Sequence, residues 1–104
     1  MLYNSILLHG INQRMPDRIV DAARARSLHA HALRIDPLAG WVVMRDPPAY
    51  PAKIVAHLVI GTPSSYVFVA DTLAEIHAML PSGLVRSDRQ PADPPEVLEA
   101  WFPR

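Results

Sequence analysis

Two histidines one residue apart, His29-Ala30-His31, have the best spacing in this chain for holding a metal ion. On a β-strand, residues two apart point to one face, so both imidazoles would reach the same cation. A useful site needs three or four converging ligands, and His57, Asp36 or His77 would have to supply the third. Nothing in the spacing selects among them. The sequence therefore assigns no metal and no cofactor, and leaves His29, His31 and His57 as candidates. Ser64 and Ser65 beside Thr62 carry hydroxyls, but no G-x-S-x-G elbow surrounds them and no base is placed to activate them. Asp88, Asp93, Glu96 and Glu99 form a loose acidic group that a helix start and a solvated loop explain. Paired catalytic carboxylates need burial that drives their pKa values apart. No catalytic residue is assigned, and whether the protein is an enzyme is left open, with a non-enzymatic reading preferred. A small metal-dependent enzyme centred on His29, His31 and His57 is kept as an alternative.

Arginines near the N-terminus offer a second chemistry. Arg14, Arg18, Arg24 and Arg26 could contact phosphates from a pair of N-terminal helices. On a helical wheel Arg14 and Arg18 are neighbours, whereas Arg24 and Arg26 point elsewhere. Asp17 and Asp21 are interspersed, as on a solvated mixed face. A DNA-binding regulator using this helix pair is the runner-up function, and nucleic acid is not the favoured partner.

The elements that must position these residues follow from periodicity. Leu2, Tyr3, Ile6 and Leu7 have helical spacing, and Gly10 is suited to end that helix. Pro16 suits the first position of a second helix over MPDRIVDAARARS, with Asp17 in its first turn. From Ser27, SLHAHALRI alternates with period two and reads as a strand. Turn chemistry at Asp36-Pro37-Leu38-Ala39-Gly40 would lead it into a partner strand, GWVVMRD. Asp46 to Pro51 reads as a rigid extended connector. Lys53–Ile60 and Tyr66–Ala70 are β-rich runs joined by Gly61-Thr62-Pro63-Ser64-Ser65, apolar on both faces as in a covered hairpin. Thr72-Leu73-Ala74-Glu75 has capping-box form, with Asp71 as a further acceptor, and opens a helix over about residues 72–80. LVRSDR reads as a short strand. Residues 94–102 fit either a helix after Asp93 and Pro94 or a strand, and the strand is preferred because it gives the preceding one a partner. The fold class is α+β: an N-terminal helix pair, two β-hairpins forming an antiparallel sheet, one capped helix and C-terminal strands, in a single domain over residues 1–104.

Bulk composition narrows the function classes. The chain has 104 residues with ten basic and ten acidic side chains, hence no net charge. A strong nucleic-acid footprint needs a basic excess, and neutrality removes the repulsion that keeps copies apart. There is no cysteine, so no disulfide framework and no thiolate nucleophile. No apolar run reaches the ~20 residues that span a bilayer and no signal-peptide layout opens the chain, so a soluble cytoplasmic protein without a membrane partner is expected. Eleven prolines, about twice the usual share, point to stiff loops.

The C-terminal half, TPSSYVFVADTLAEIHAMLPSGLVRSDRQPADPPEVLEAW, resembles small uncharacterised proteins of proteobacterial genomes and mobile elements. The resemblance rests on a hairpin, the ADTLAE helix start, the LPSGL-x-R segment and a terminal E-x-W. It implies a bacterial accessory role, such as a regulator or an inhibitor of another protein, and transfers no catalytic residue. The leading expectation is a non-enzymatic protein-interaction module, acting as a homodimer and binding an unidentified protein. Its candidate interaction residues are Arg14, Arg18, Tyr66 and Trp101. The connector at 47–51, the loop at 62–65 and the segment 86–95 are its expected surface elements.

Overall fold

A computed structural model describes residues 17–103. In chain order it has β1 (Arg18–Ile19), α1 (Ala22–Ile35), β2 (Gly40–Arg45), β3 (Ile54–Ile60), β4 (Thr62–Ala70), α2 (Leu73–Met79), β5 (Leu84–Asp88) and β6 (Val97–Pro103). The six strands make one sheet in the order β1-β4-β3-β2-β6-β5. Pairing is antiparallel except between β1 and β4, which run parallel, so the sheet is mixed rather than antiparallel throughout. The α+β class and the C-terminal strands are as expected. Arg14 and the proposed first helix lie outside the described residues.

The first half departs most from the periodicity reading. Arg18–Ile19 is extended and pairs with Tyr66–Val67, where a helix from Pro16 was expected. The helix starts later, after Asp21, whose side chain accepts from the Arg24 amide at 2.8 Å. It then runs through SLHAHALRI, the segment read as a strand, and ends where the Asp36 amide donates to the Ala32 carbonyl ahead of Pro37. Two of the alternating positions, Ala30 and Ala32, are alanine, a strong helix former that marks neither face of a strand. The buried residues Ala25, His29 and Ala32 follow helical spacing, and the stripe is masked because one of them is a histidine. With α1 occupying the segment expected to pair with it, β2 takes β3 and β6 as neighbours instead.

Connections also differ. Residues 46–53 fold back as a closed loop rather than an extended connector. The Asp46 amide donates to the Lys53 carbonyl at 2.7 Å, the Ala52 amide donates to the Asp46 carboxylate at 2.6 Å, and Tyr50 closes an inner turn on Pro47. Asp46 and Ala52 take positive φ to make these closures. Gly61, at φ +72°, alone turns β3 into β4, so Thr62–Ser65 is strand rather than loop. The pairing slips between His57 and Val59, where three residues of β4 face Leu58 alone. Ser64 seals the irregularity: its hydroxyl donates to the Leu58 carbonyl at 2.8 Å and accepts from the Tyr66 amide.

The α2 helix forms as its sequence indicates, capped by Thr72, whose hydroxyl accepts from the Glu75 amide. The Glu75 carboxylate accepts from the Thr72 hydroxyl, and Asp71 pairs with Lys53 rather than with the helix start. Both helices lie on one face of the sheet. Ala25, Ala32 and Ile76 enclose Trp41, Val43, Ala56, Leu58 and Phe68 there, with the Trp41 and Phe68 rings 4.9 Å apart. A Cβ added at Gly40 would run into the Phe102 ring and the Trp101 carbonyl, so glycine sets how closely β2 and β6 approach. Gly40→Ala is expected to cost about 2 kcal/mol or more in urea denaturation, with the m-value unchanged. A neutral substitution would mean that β6 does not close over β2 in this way.

Candidate functional site

One carboxylate is taken almost wholly out of water. Glu99 on β6 is 1 % exposed and stands opposite Val43 of β2 and Asp88 of β5. Residues two apart share a face, so Trp101 lies beside it on the helix-covered side. Trp101 donates its indole N–H to the carboxylate. From α2, His77 meets the same oxygen through Nε2 at 2.6 Å, and Arg86 of β5 donates Nε–H to the other oxygen at 3.1 Å. Arg86 also pairs with Asp88 through its Nη1. The His77 ring stands edge-on to Trp101 at 5.3 Å.

These contacts set the charge state. Burial by itself pushes the Glu99 carboxyl up, but hydrogen bonds from Trp101, His77 and Arg86 outweigh it and hold the group below its ordinary value. Glu99 is thus an ionised acceptor. The hydrogen of His77 Nε2 is directed at it, on a side chain that is 39 % exposed. A histidine oriented by a buried carboxylate is the positioning half of an acid–base device. The nucleophilic half is missing: among the described residues no Ser, Thr or Lys hydrogen-bonds to His77. Ser87, on the neighbouring strand, points to the opposite face from Arg86.

The expected metal candidates are separated. His29 is buried on α1, where Nδ1 accepts from the Trp41 indole at 3.2 Å, and burial pushes its pKa down. His31, two positions further along a helix rather than a strand, is exposed on another side. His57 sits on β3 on the face away from both helices, its Nε2–H directed at the Ser64 carbonyl, and desolvation is the main cause of its lowered pKa. Among the described residues, no group of three or more His, Cys, Asp or Glu is placed to hold a metal ion. Of the interaction candidates, Arg18 lays its guanidinium over the Tyr66 ring at 5.8 Å, joining β1 to β4. Trp101 belongs to the Glu99 cluster.

Residue spacing names His77 only as a possible metal ligand and places Glu99 and Arg86 in solvated segments, so it does not bring the three together. Glu99 is a buried acceptor rather than a solvated acid, whereas Asp93 is a local cap that accepts from the Gln90 amide at 2.7 Å. The usable signal was the strand VLEAW, in which a carboxylate alternates onto the face of a tryptophan. Arg86, Glu99 and Trp101 also come from the segments LPSGLVR and EAW singled out in the sequence. Comparison with family models, with curated proteins and with solved structures yields no match. No helix among the described residues is long and apolar enough to cross a membrane.

Because the folded chain lowers the Glu99 pKa, its stabilisation is complete above the unfolded carboxyl value of about 4.3 and is lost as pH falls through the folded value. Glu99→Gln keeps the shape and removes the charge. It is expected to cost about 1–3 kcal/mol at pH 7, and to lose less further stability than the parent between pH 7 and pH 3 in urea titrations. Equal acid losses in the two proteins would remove the network as a source of stability.

Proposed function

We propose that the protein is a non-enzymatic interaction module that forms a homodimer through the outer edge of β5. The observation that carries this reading is the character of that edge. β5 is the last strand of the sheet order, with no further strand beyond it among the described residues, and an edge strand presents unpaired N–H and C=O groups. Val85 on it is 45 % exposed. Arg86 and Asp88 flank Ser87, so an antiparallel two-fold pairing centred on Ser87 sets Arg86 of each copy opposite Asp88 of the other. Charges that would guard the edge against an unlike apolar strand are therefore complementary to their own copy. Glu99 holds Arg86 in place beforehand, which lowers the entropy that pairing costs. The chain's zero net charge adds no long-range repulsion. A bacterial accessory role, as the sequence resemblance implies, fits a small module that works by contact.

Light scattering coupled to size exclusion, run over a wide concentration range, is expected to show a monomer–dimer equilibrium. Ser87→Pro removes an edge amide and should abolish the dimer. Asp88→Arg sets like charges opposite one another and should weaken it about tenfold, equivalent to about 1.4 kcal/mol. A strict monomer at every concentration, or dimerisation indifferent to both substitutions, would defeat the proposal.

A further inference from the structure

Charge is unevenly spread over this neutral chain. α1 carries Arg24, Arg26 and Arg34 and no acidic residue, which leaves the rest of the chain with three more acids than bases. The inner side of α1 packs on the sheet through Ala25, His29 and Ala32. Its outer side carries Arg24, Arg26, Ser27, Ala30, His31 and Arg34, all exposed. No ion pair among the described residues involves the three arginines. Asp21 and Asp36, at the two ends of the helix, turn their carboxylates to the Arg24 and Leu38 amides. Arg18, expected on a helix with them, lies on β1 over Tyr66 instead.

We propose that the outer side of α1 is a docking surface for duplex DNA, seated in the major groove and held through the phosphates of its two walls. Unpaired guanidiniums complement phosphate, which arginine meets with paired hydrogen bonds. At about 3.6 residues per turn, Arg24 and Arg26 fall about 200° apart on opposite flanks, and Arg34 lies near the centre of the outer side. A helix in a groove needs that arrangement, because a phosphate strand runs along each side of it. Size agrees. A helix with its side chains is about 10–12 Å across, and the B-form major groove is about 12 Å wide. Ser27 and Ala30, near the midline, are short enough to let the helix come down between the walls. The major groove of A-form RNA is too narrow to admit it. A lipid surface fits less well, since an interfacial helix needs a row of large apolar side chains and α1 exposes a single one, Ile35. Phosphate contacts depend on this local excess of charge rather than on the net charge of the chain. The surface is independent of the β5 edge, since α1 packs on β3, three strands away from it.

Fluorescence anisotropy of a labelled mixed-sequence DNA duplex, titrated with the full chain, tests this. Binding is expected with a Kd on the order of 10⁻⁵ M at low salt, and log Kd should rise against log salt with a slope of about 3, near 0.9 for each phosphate neutralised. A triple variant, Arg24→Gln with Arg26→Gln and Arg34→Gln, is expected to weaken binding about tenfold or more and to flatten the slope. Its Tm should stay within about 2 °C of the parent's, because all three side chains are exposed. Arg45→Gln removes an exposed arginine from β2 and is expected to change Kd by less than about twofold. No binding to DNA at low salt overturns the proposal, as does binding that the triple variant retains or that Arg45→Gln weakens equally. Equal binding of duplex RNA overturns the seating in the major groove, and tighter binding to vesicles of anionic phospholipid overturns DNA as the partner. If the triple variant unfolds, the parent's salt dependence decides, and a slope below about 1 overturns the proposal.

Discussion

Everything in this fold answers to one constraint: the β2–β3 pair is apolar on both faces, and both faces must leave water. Trp41 and Val43 project to one side and Val42 and Met44 to the other, each buried. At roughly 25 cal/mol per Å² of apolar area removed from water, burying a single valine or leucine outweighs most individual hydrogen bonds. The helices satisfy one side of this demand. They cross over Trp41, Ala56 and Phe68, with Ala25 and Ala32 of α1 and Ile76 of α2 packed against them.

Glu99 is the most deeply buried charged side chain among the described residues, and its chemistry explains why it is tolerated. An ionised carboxylate buried alone would be driven to protonate, since desolvation disfavours the charged form. Three donors from three elements reverse the balance: the indole of its own strand, the imidazole of α2 and the guanidinium of β5. The cluster thereby ties α2 and the edge strand to β6. Its partners Arg86 and His77 remain half-exposed, so the tie is also where the interior reaches the surface. An interaction edge built beside such a tie starts with its charges already oriented.

The two histidines buried elsewhere have quieter explanations. His29 fills a position in the α1 stripe and receives the Trp41 indole, and His57 turns a polar edge toward the carbonyl that the β4 irregularity leaves free. Each ring nitrogen placed against a backbone or indole partner is withdrawn from coordination, and the sheet itself stands between the two.

Local chemistry made much of this legible in the residues alone. The hairpin of β3 and β4 with apolar residues on both sides, the Thr72 cap and the stop after α2 all rest on contacts within a few positions of one another. So does the α+β class. Tertiary structure decided the rest. SLHAHALRI carries an alternation and a helical stripe at once, and only docking against Trp41 selects the helix, because it gives the indole N–H a buried acceptor in His29. The sheet order was also beyond local reading, since nothing within β6 says that it inserts between β2 and β5. Glu99 shows the limit most clearly. In sequence it is one acid among four near the C-terminus, and it becomes a buried ionised group only when the fold brings His77 and Arg86 to it from 22 and 13 residues away. Residue type sets what a side chain can donate or accept, but its partners are set by which strands pair and which helix lies above them.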